Sequence, residues 1–266
     1  MARYQDLPNR TDTITVPIDD ATMCTNYGST FTCTINSQAT KTRLEVIGSC
    51  QCTFTVPSGV NTIFIELWSG GGGGGGTTNC QCCTMGQGGG GGNYISTTLA
   101  VTPGDTYSIC AGAAGGMGAC CRGAQGATSY VTGTGLTTFC AVGGMGGCGG
   151  CNLTSLCFGQ NGANCSTING LSSANIQNFA IAACGEGGHI FGCSNGCRSD
   201  GKGGNAAFAG GIGSFTTYSG CCPNGCCSAY GAAFPGGGGG GTATTCECSY
   251  CLCGSCGSPG LVRLWY

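Results

Sequence analysis

Apolar and polar residues alternate in short bursts along this chain, and most bursts end in glycine. Ile63, Ile65 and Leu67 share one face of an extended segment, and Phe64, Glu66 and Trp68 share the other. The segment then enters an unbroken run, Gly70–Gly76, and after a second run, Gly88–Gly92, the chain returns as Tyr94-Ile95-Ser96-Thr97-Thr98-Leu99-Ala100-Val101. Leu99 and Val101, then Tyr107 and Ile109, flank Pro103-Gly104-Asp105, which predicts a turn and a hairpin. Tyr130-Val131-Thr132 and Phe139-Cys140-Ala141-Val142 flank Gly133-Thr134-Gly135 and predict a second hairpin. Leu261–Tyr266 predicts a closing strand. Residues 1–50 are glycine-poor and alternate at Thr13–Ile18, Phe31–Ile35 and Leu44–Val46, which predicts an N-terminal β arm or anchor. One helix is expected, over Ser172–Ala183, capped by serine and ending before Gly185.

Between the strands lie the glycine tracts. Their expected conformation is an extended helix of the polyproline II type with three residues per turn. Without Cβ atoms, neighbouring tracts approach until the N–H groups of one meet the carbonyls of the next, which satisfies groups otherwise orphaned in a bundle. Gly70–Gly76, Gly88–Gly92 and Gly236–Gly241 are expected to be ordered and bonded to other glycine segments.

The succession of strand, polyglycine and hairpin over 51–114, with the ending Gly257-Ser258-Pro259-Gly260-Leu261-Val262-Arg263-Leu264-Trp265-Tyr266, resembles the glycine-rich domain of bacteriophage tail-fibre and adhesin virion proteins. The resemblance covers roughly residues 50–266 as a pattern of segments. It implies an all-β domain over 51–266: a small antiparallel β-sandwich scaffold carrying a bundle of polyglycine-II-type helices, cross-linked by cysteines. It also implies a place in the virion, among other virion proteins.

Composition narrows the classes. The 266 residues include 57 Gly and 27 Cys, and only 7% are charged. Glycine comes in runs, not in every third position, which excludes collagen. So few charges would not keep a disordered chain extended. The net charge of −2 and the 8 Lys+Arg offer no basic stripe for nucleic acid. No apolar stretch approaches the roughly 20 residues of a membrane span. Met1–Pro8 lacks the hydrophobic core of a signal peptide. A cysteine-dense chain without an export signal suits a particle released by lysis into an oxidising medium.

Cysteines cluster at Cys80, Cys82 and Cys83, at Cys120 and Cys121, at Cys148 and Cys151, at Cys193 and Cys197, and at Cys221, Cys222, Cys226 and Cys227. The densest group contains Cys248, Cys251, Cys253 and Cys256, two C-x-x-C pairs whose spacing suits zinc or iron–sulfur ligation. Such pairs arise by chance among so many cysteines, so a disulfide framework is favoured and no cofactor is expected. The odd count leaves at least one thiol outside intrachain pairs. His189 is the sole histidine, and nothing around it marks a nucleophile pair. Gly196–Gly203 mimics a phosphate loop but places Gly203 where a Ser or Thr should hold Mg²⁺. The sequons at Asn9, Asn152 and Asn164 are inert in a phage product. No two of the 10 Asp+Glu form a suggestive catalytic pair. The expectation is a protein that is not an enzyme.

Binding fits better, because loops on a rigid scaffold carry recognition. The receptor-contact candidates lie in residues 152–235: Phe158, His189, Phe191, Arg198, Phe208, Phe215, Tyr218, Tyr230 and Phe234. Aromatic rings stack on sugars and fill protein pockets with little entropy loss. The resulting expectation is a structural virion protein of a bacteriophage, a tail-fibre tip or adhesin that meets a host surface glycan or protein, and a homo-oligomer with a trimer favoured. A head fibre or capsid decoration protein without a receptor role is the alternative, and a cysteine- or metal-dependent enzyme ranks below both.

Overall fold

The computed structural model describes residues 42–48, 51–76, 86–119, 121–149, 166–169, 181–183, 185–186, 188–190, 201–208, 210–213, 232–242 and 253–266. The described residues are all-β, with antiparallel sheets and no helix. The chain divides into two compact units, residues 44–264 and residues 1–43 with 265–266.

Two five-stranded sheets carry the apolar core. The first runs in the order β1 (Arg43–Ile47), β12 (Leu261–Trp265), β3 (Thr62–Trp68), β4 (Tyr94–Ala100), β9 (Ile181–Ala183). The second runs β2 (Gln51–Thr55), β5 (Thr106–Cys110), β6 (Ser129–Gly133), β7 (Leu136–Ala141), β8 (Ser166–Asn169). A two-stranded ladder joins β10 (His189–Ile190) to β11 (Gly201–Lys202). Strand alternation decides what is buried. Ile63, Ile65, Leu67, Ile95 and Leu99 from the first sheet and Tyr107, Ile109, Val131 and Phe139 from the second are fully buried. β3 and β4 lie against β6 and β7. Thr97 sits between Ile95 and Leu99 on the strand, and its buried Oγ1 has no hydrogen-bond partner.

The β6–β7 hairpin closes at Thr134-Gly135, with Gly135 at φ 68°. Pro103-Gly104-Asp105 does make a turn, with Gly104 at φ 92° and Asp105 Oδ2 accepting from Thr102 N at 2.8 Å. It is not a hairpin: β4 belongs to one sheet and β5 to the other, so the turn hands the chain across the core. The helix expected over Ser172–Ala183 is also corrected. Residues 181–183 pair with Tyr94–Ser96 as a strand, and residues 172–180 lie outside the described residues. Partnership with β4 overrides weak helical patterning. Leu44–Val46 falls in β1, while the alternating segments at 13–18 and 31–35 lie outside the described residues.

Where β3 and β4 give way to glycine, three buried polar side chains hold the junction. Ser69 Oγ donates to the Val142 carbonyl at 2.8 Å and accepts from Asn93 N at 2.8 Å. Asn93 Nδ2 donates to the same Val142 carbonyl, and its Oδ1 accepts from Gly185 N. Ser129 Oγ donates to the Trp68 carbonyl at 2.7 Å and accepts from Gly112 N. These bonds satisfy backbone groups that leave the sheet ladder but remain buried.

Candidate receptor-binding surface

Beyond that junction the tracts form a hydrogen-bonded lattice with a repeat of three residues. Gly70, Gly73 and Gly76 donate to Ala127, Ala124 and Cys121. Gly71 and Gly74 donate to Ser258 and Ser255, and Gly72 and Gly75 donate to Gly90 and Gln87. These seven bonds span 2.8–3.1 Å. The carbonyls follow the same rule: Gly70 and Gly73 accept from Gly144 and Gly147, Gly71 and Gly74 from Gly115 and Gly118, and Gly72 and Gly75 from Gly239 and Thr242. The central tract therefore touches six others. Those six bond to one another in a closed ring, in the order 121–127, 113–118, 254–258, 237–242, 86–92, 144–148.

Close packing, not unusual backbone angles, explains the glycine. Within 70–76 and 86–92 no residue has a positive φ. Yet a Cβ on Gly70, Gly71, Gly72, Gly73, Gly74 or Gly75 would fall within 3.0 Å of a carbonyl of Ala113, Gly237, Met145, Gly116, Gly240 or Cys148, respectively. Glycine loses more freedom on ordering than any other residue, and here the inter-tract bonds and the underlying sheets offset that loss.

The lattice has two ends. At the base it joins the sheets at Ser69, Asn93 and Ser129. At the tip, Gly76 bonds to Cys121, Gly86 bonds to Thr242, Gly241 bonds to Gly201, and Cys253 bridges Ala119. Cys121, Cys148 and Cys253 thus come from three different tracts to one end. The other described cysteines are Cys52, Cys110 and Cys140 in the second sheet and exposed Cys256. No disulfide joins any two of these seven, so the expected cross-linking is not seen among the described residues. Among the described residues no three His, Cys, Asp or Glu side chains are grouped to hold a metal. Of the alternative metal set, Cys253 and Cys256 are described, and Cys248 and Cys251 lie outside.

Three of the nine receptor-contact candidates fall on described residues. The β10–β11 ladder pairs His189 with Lys202. Phe208 lies at the base against Tyr94 of the first sheet, and Phe234 lies on the segment that Gly92 N reaches through the Gly236 carbonyl. Phe208 is the one non-glycine residue with a positive φ among the described residues, at 46°. Trp68 Nε1 pins the turn by donating to the carbonyls of Ala207 and Phe208 at 3.1 and 3.3 Å. The Phe208 ring stacks on Tyr94 at 4.9 Å between centroids, and Tyr94 packs on Trp68 at 4.7 Å. The Arg263 guanidinium lies 5.5 Å over Trp68, with Arg263 Nε donating to Glu45 Oε1 at 2.8 Å. Tyr94 Oη donates to Glu66 Oε1 at 3.0 Å. Burial is the main cause that pushes the Tyr94 hydroxyl up to about 12, with the Glu66 carboxylate adding to it.

Phe208 keeps 54% of its surface exposed and Phe234 45%. Ile212, which sequence reasoning passed over, is exposed at 65%. Backbone bonds from Gly211 N to Pro235 O and from Ala233 N to Ile212 O join the segments that carry Ile212 and Phe234. The missed signal was a large apolar residue flanked by glycines, Gly211-Ile212-Gly213. Phe158, Phe191, Arg198, Phe215, Tyr218 and Tyr230 lie outside the described residues.

Residues 28–266 match the family model for a glycine-rich domain. No curated protein matches the chain.

Proposed function

We propose that this chain, which belongs to the family of glycine-rich domains, is a structural virion protein of a bacteriophage that presents receptor-binding loops at a tail-fibre tip. One observation carries the reading. Gly76 and Gly86, Ile190 and Gly201, and Thr242 and Cys253 all sit at the tip of the lattice or on the ladder joined to it, so the segments between them begin and end there. A base that holds the ends of three segments at one end suits display. Phe191 and Arg198 belong to one of those segments.

The three-residue repeat supports polyglycine-II-type helices, because a turn of three residues aims successive N–H groups at three different neighbours. At roughly 3.1 Å per residue the seven-residue central tract would stand about 20 Å above the sheets. The two facing sheets support a β-sandwich as the scaffold. The cysteines at the tip would cross-link after release into an oxidising medium, in particles that also hold other virion proteins and a homotrimer of this chain.

Gold-labelled antibody against the chain, imaged on purified particles, tests the reading. Label at the distal tail is expected. Label on the head would favour the decoration-protein reading, and bare particles would end both. The receptor role is tested separately: Phe191→Ala with Arg198→Ala should lower adsorption to host cells at least tenfold in assembled particles, and unchanged adsorption would remove it.

A further inference from the structure

Among the described residues, the outward carbonyls of the ring are answered in two ways. On one side, the carbonyls of Gly89 and Gly92, three residues apart, accept the N–H groups of Gly204 and Ala207 from a further tract. On the other side, the carbonyls of Gly143 and Gly146 have the same spacing but take side chains. Gln125 Nε2 donates to Gly143 O at 3.3 Å, and Arg122 Nε donates to Gly146 O at 3.3 Å. Arg122 and Gln125 are three residues apart on their own tract and exposed, and the two glycines they cover are buried. Beneath them the same two tracts pair through Gly123 N to Gly147 O and Gly126 N to Gly144 O.

We propose that the row formed by the Gly143 and Gly146 carbonyls is a docking surface for a glycine tract of a second copy of this chain, and that Arg122 and Gln125 hold it closed. The occupant follows from the lattice itself, which elsewhere answers an equally spaced row with glycine backbone. Two long side chains lying over the row supply donors in place of that backbone.

Sedimentation velocity of the full chain over a hundredfold concentration range tests this. The wild-type chain should keep one sedimentation coefficient, whatever its assembly. Arg122→Met with Gln125→Met keeps the side-chain stems and removes the donors. It should at least double the sedimenting mass at the highest concentration. Arg122→Gln keeps a donor and should behave as wild type. A Met pair that sediments as wild type throughout, or an Arg122→Gln variant that associates like the Met pair, would overturn the proposal. If the Met pair loses the near-ultraviolet signal of Trp68, Gln125→Met alone takes its place with the same two outcomes.

Discussion

The sheets and the glycine lattice stand end to end in one chain and are held by opposite means. In the sheets the backbone is spaced by ladder bonds and the side chains supply cohesion: Ile63, Ile65, Ile95, Val131 and Phe139 are fully buried. In the central glycine tract the side chains are gone and the backbone does both jobs, bonding sideways to six neighbours. The difference makes a sharp expectation about mutation. Removing side-chain atoms should harm the sheets, and adding them should harm the lattice.

Phe139→Ala attacks the first half of that comparison. Truncating a fully buried phenylalanine costs about 3–5 kcal/mol, read by urea unfolding. Gly72→Ala attacks the second. The new Cβ would meet the backbone of Met145 and Gly144, neither of which is a side chain that swings aside. A loss of about 3 kcal/mol is expected, at the upper end for overpacking. If Gly72→Ala unfolds no earlier than wild type, the tract is not packed as described.

Alkali separates the two regions chemically. Tyr107 is buried in the second sheet, and its hydroxyl, which donates to Thr134 O, is pushed up to about 12 by burial first and the Asp105 charge second. Tyr94, with the same direction and value, lies in the first sheet. A raised folded value means stability fully present below the ordinary value of 10 and lost as pH climbs through about 12. The melting temperature should therefore fall between pH 10 and 12, and Tyr107→Phe should shrink that fall. An equal fall in the variant would mean that Tyr107 does not govern it.

The smallest expected effect has the opposite sign. At Gly116 an added Cβ would find only the Ala124 methyl group, at 4.0 Å, and the residue is exposed. Gly116→Ala should stabilise by about 0.4–1 kcal/mol through the unfolded chain. A loss as large as that at Gly72 would show that backbone entropy, not neighbour contact, sets the need for glycine.

Much of the sheet was legible because alternation is a two-residue signal written in side chains. Ile63, Ile65 and Leu67 declare their face, and Tyr130–Thr132 declares a strand. That glycine tracts bond to glycine tracts was legible too. Which tract meets which was not, because a run such as Gly70–Gly76 carries no side chain to encode register. The Pro103–Asp105 turn misled because hairpins and sheet-to-sheet turns share their residues. The base of the candidate surface was hidden for a related reason. Trp68 reads as an outward residue of β3, and nothing near it in sequence says that Ala207 and Phe208 fold over it.

The central claim is that the glycine tracts are held by their own backbone bonds. Amide hydrogen exchange at Gly71–Gly75, resolved by mass spectrometry of overlapping peptides, tests it most directly. Protection within about tenfold of that in β3 and β6 is expected, since both ladders should open only in the same global event. Exchange at Gly71–Gly75 near the rate of an unstructured peptide, while β3 and β6 remain protected, would contradict the account.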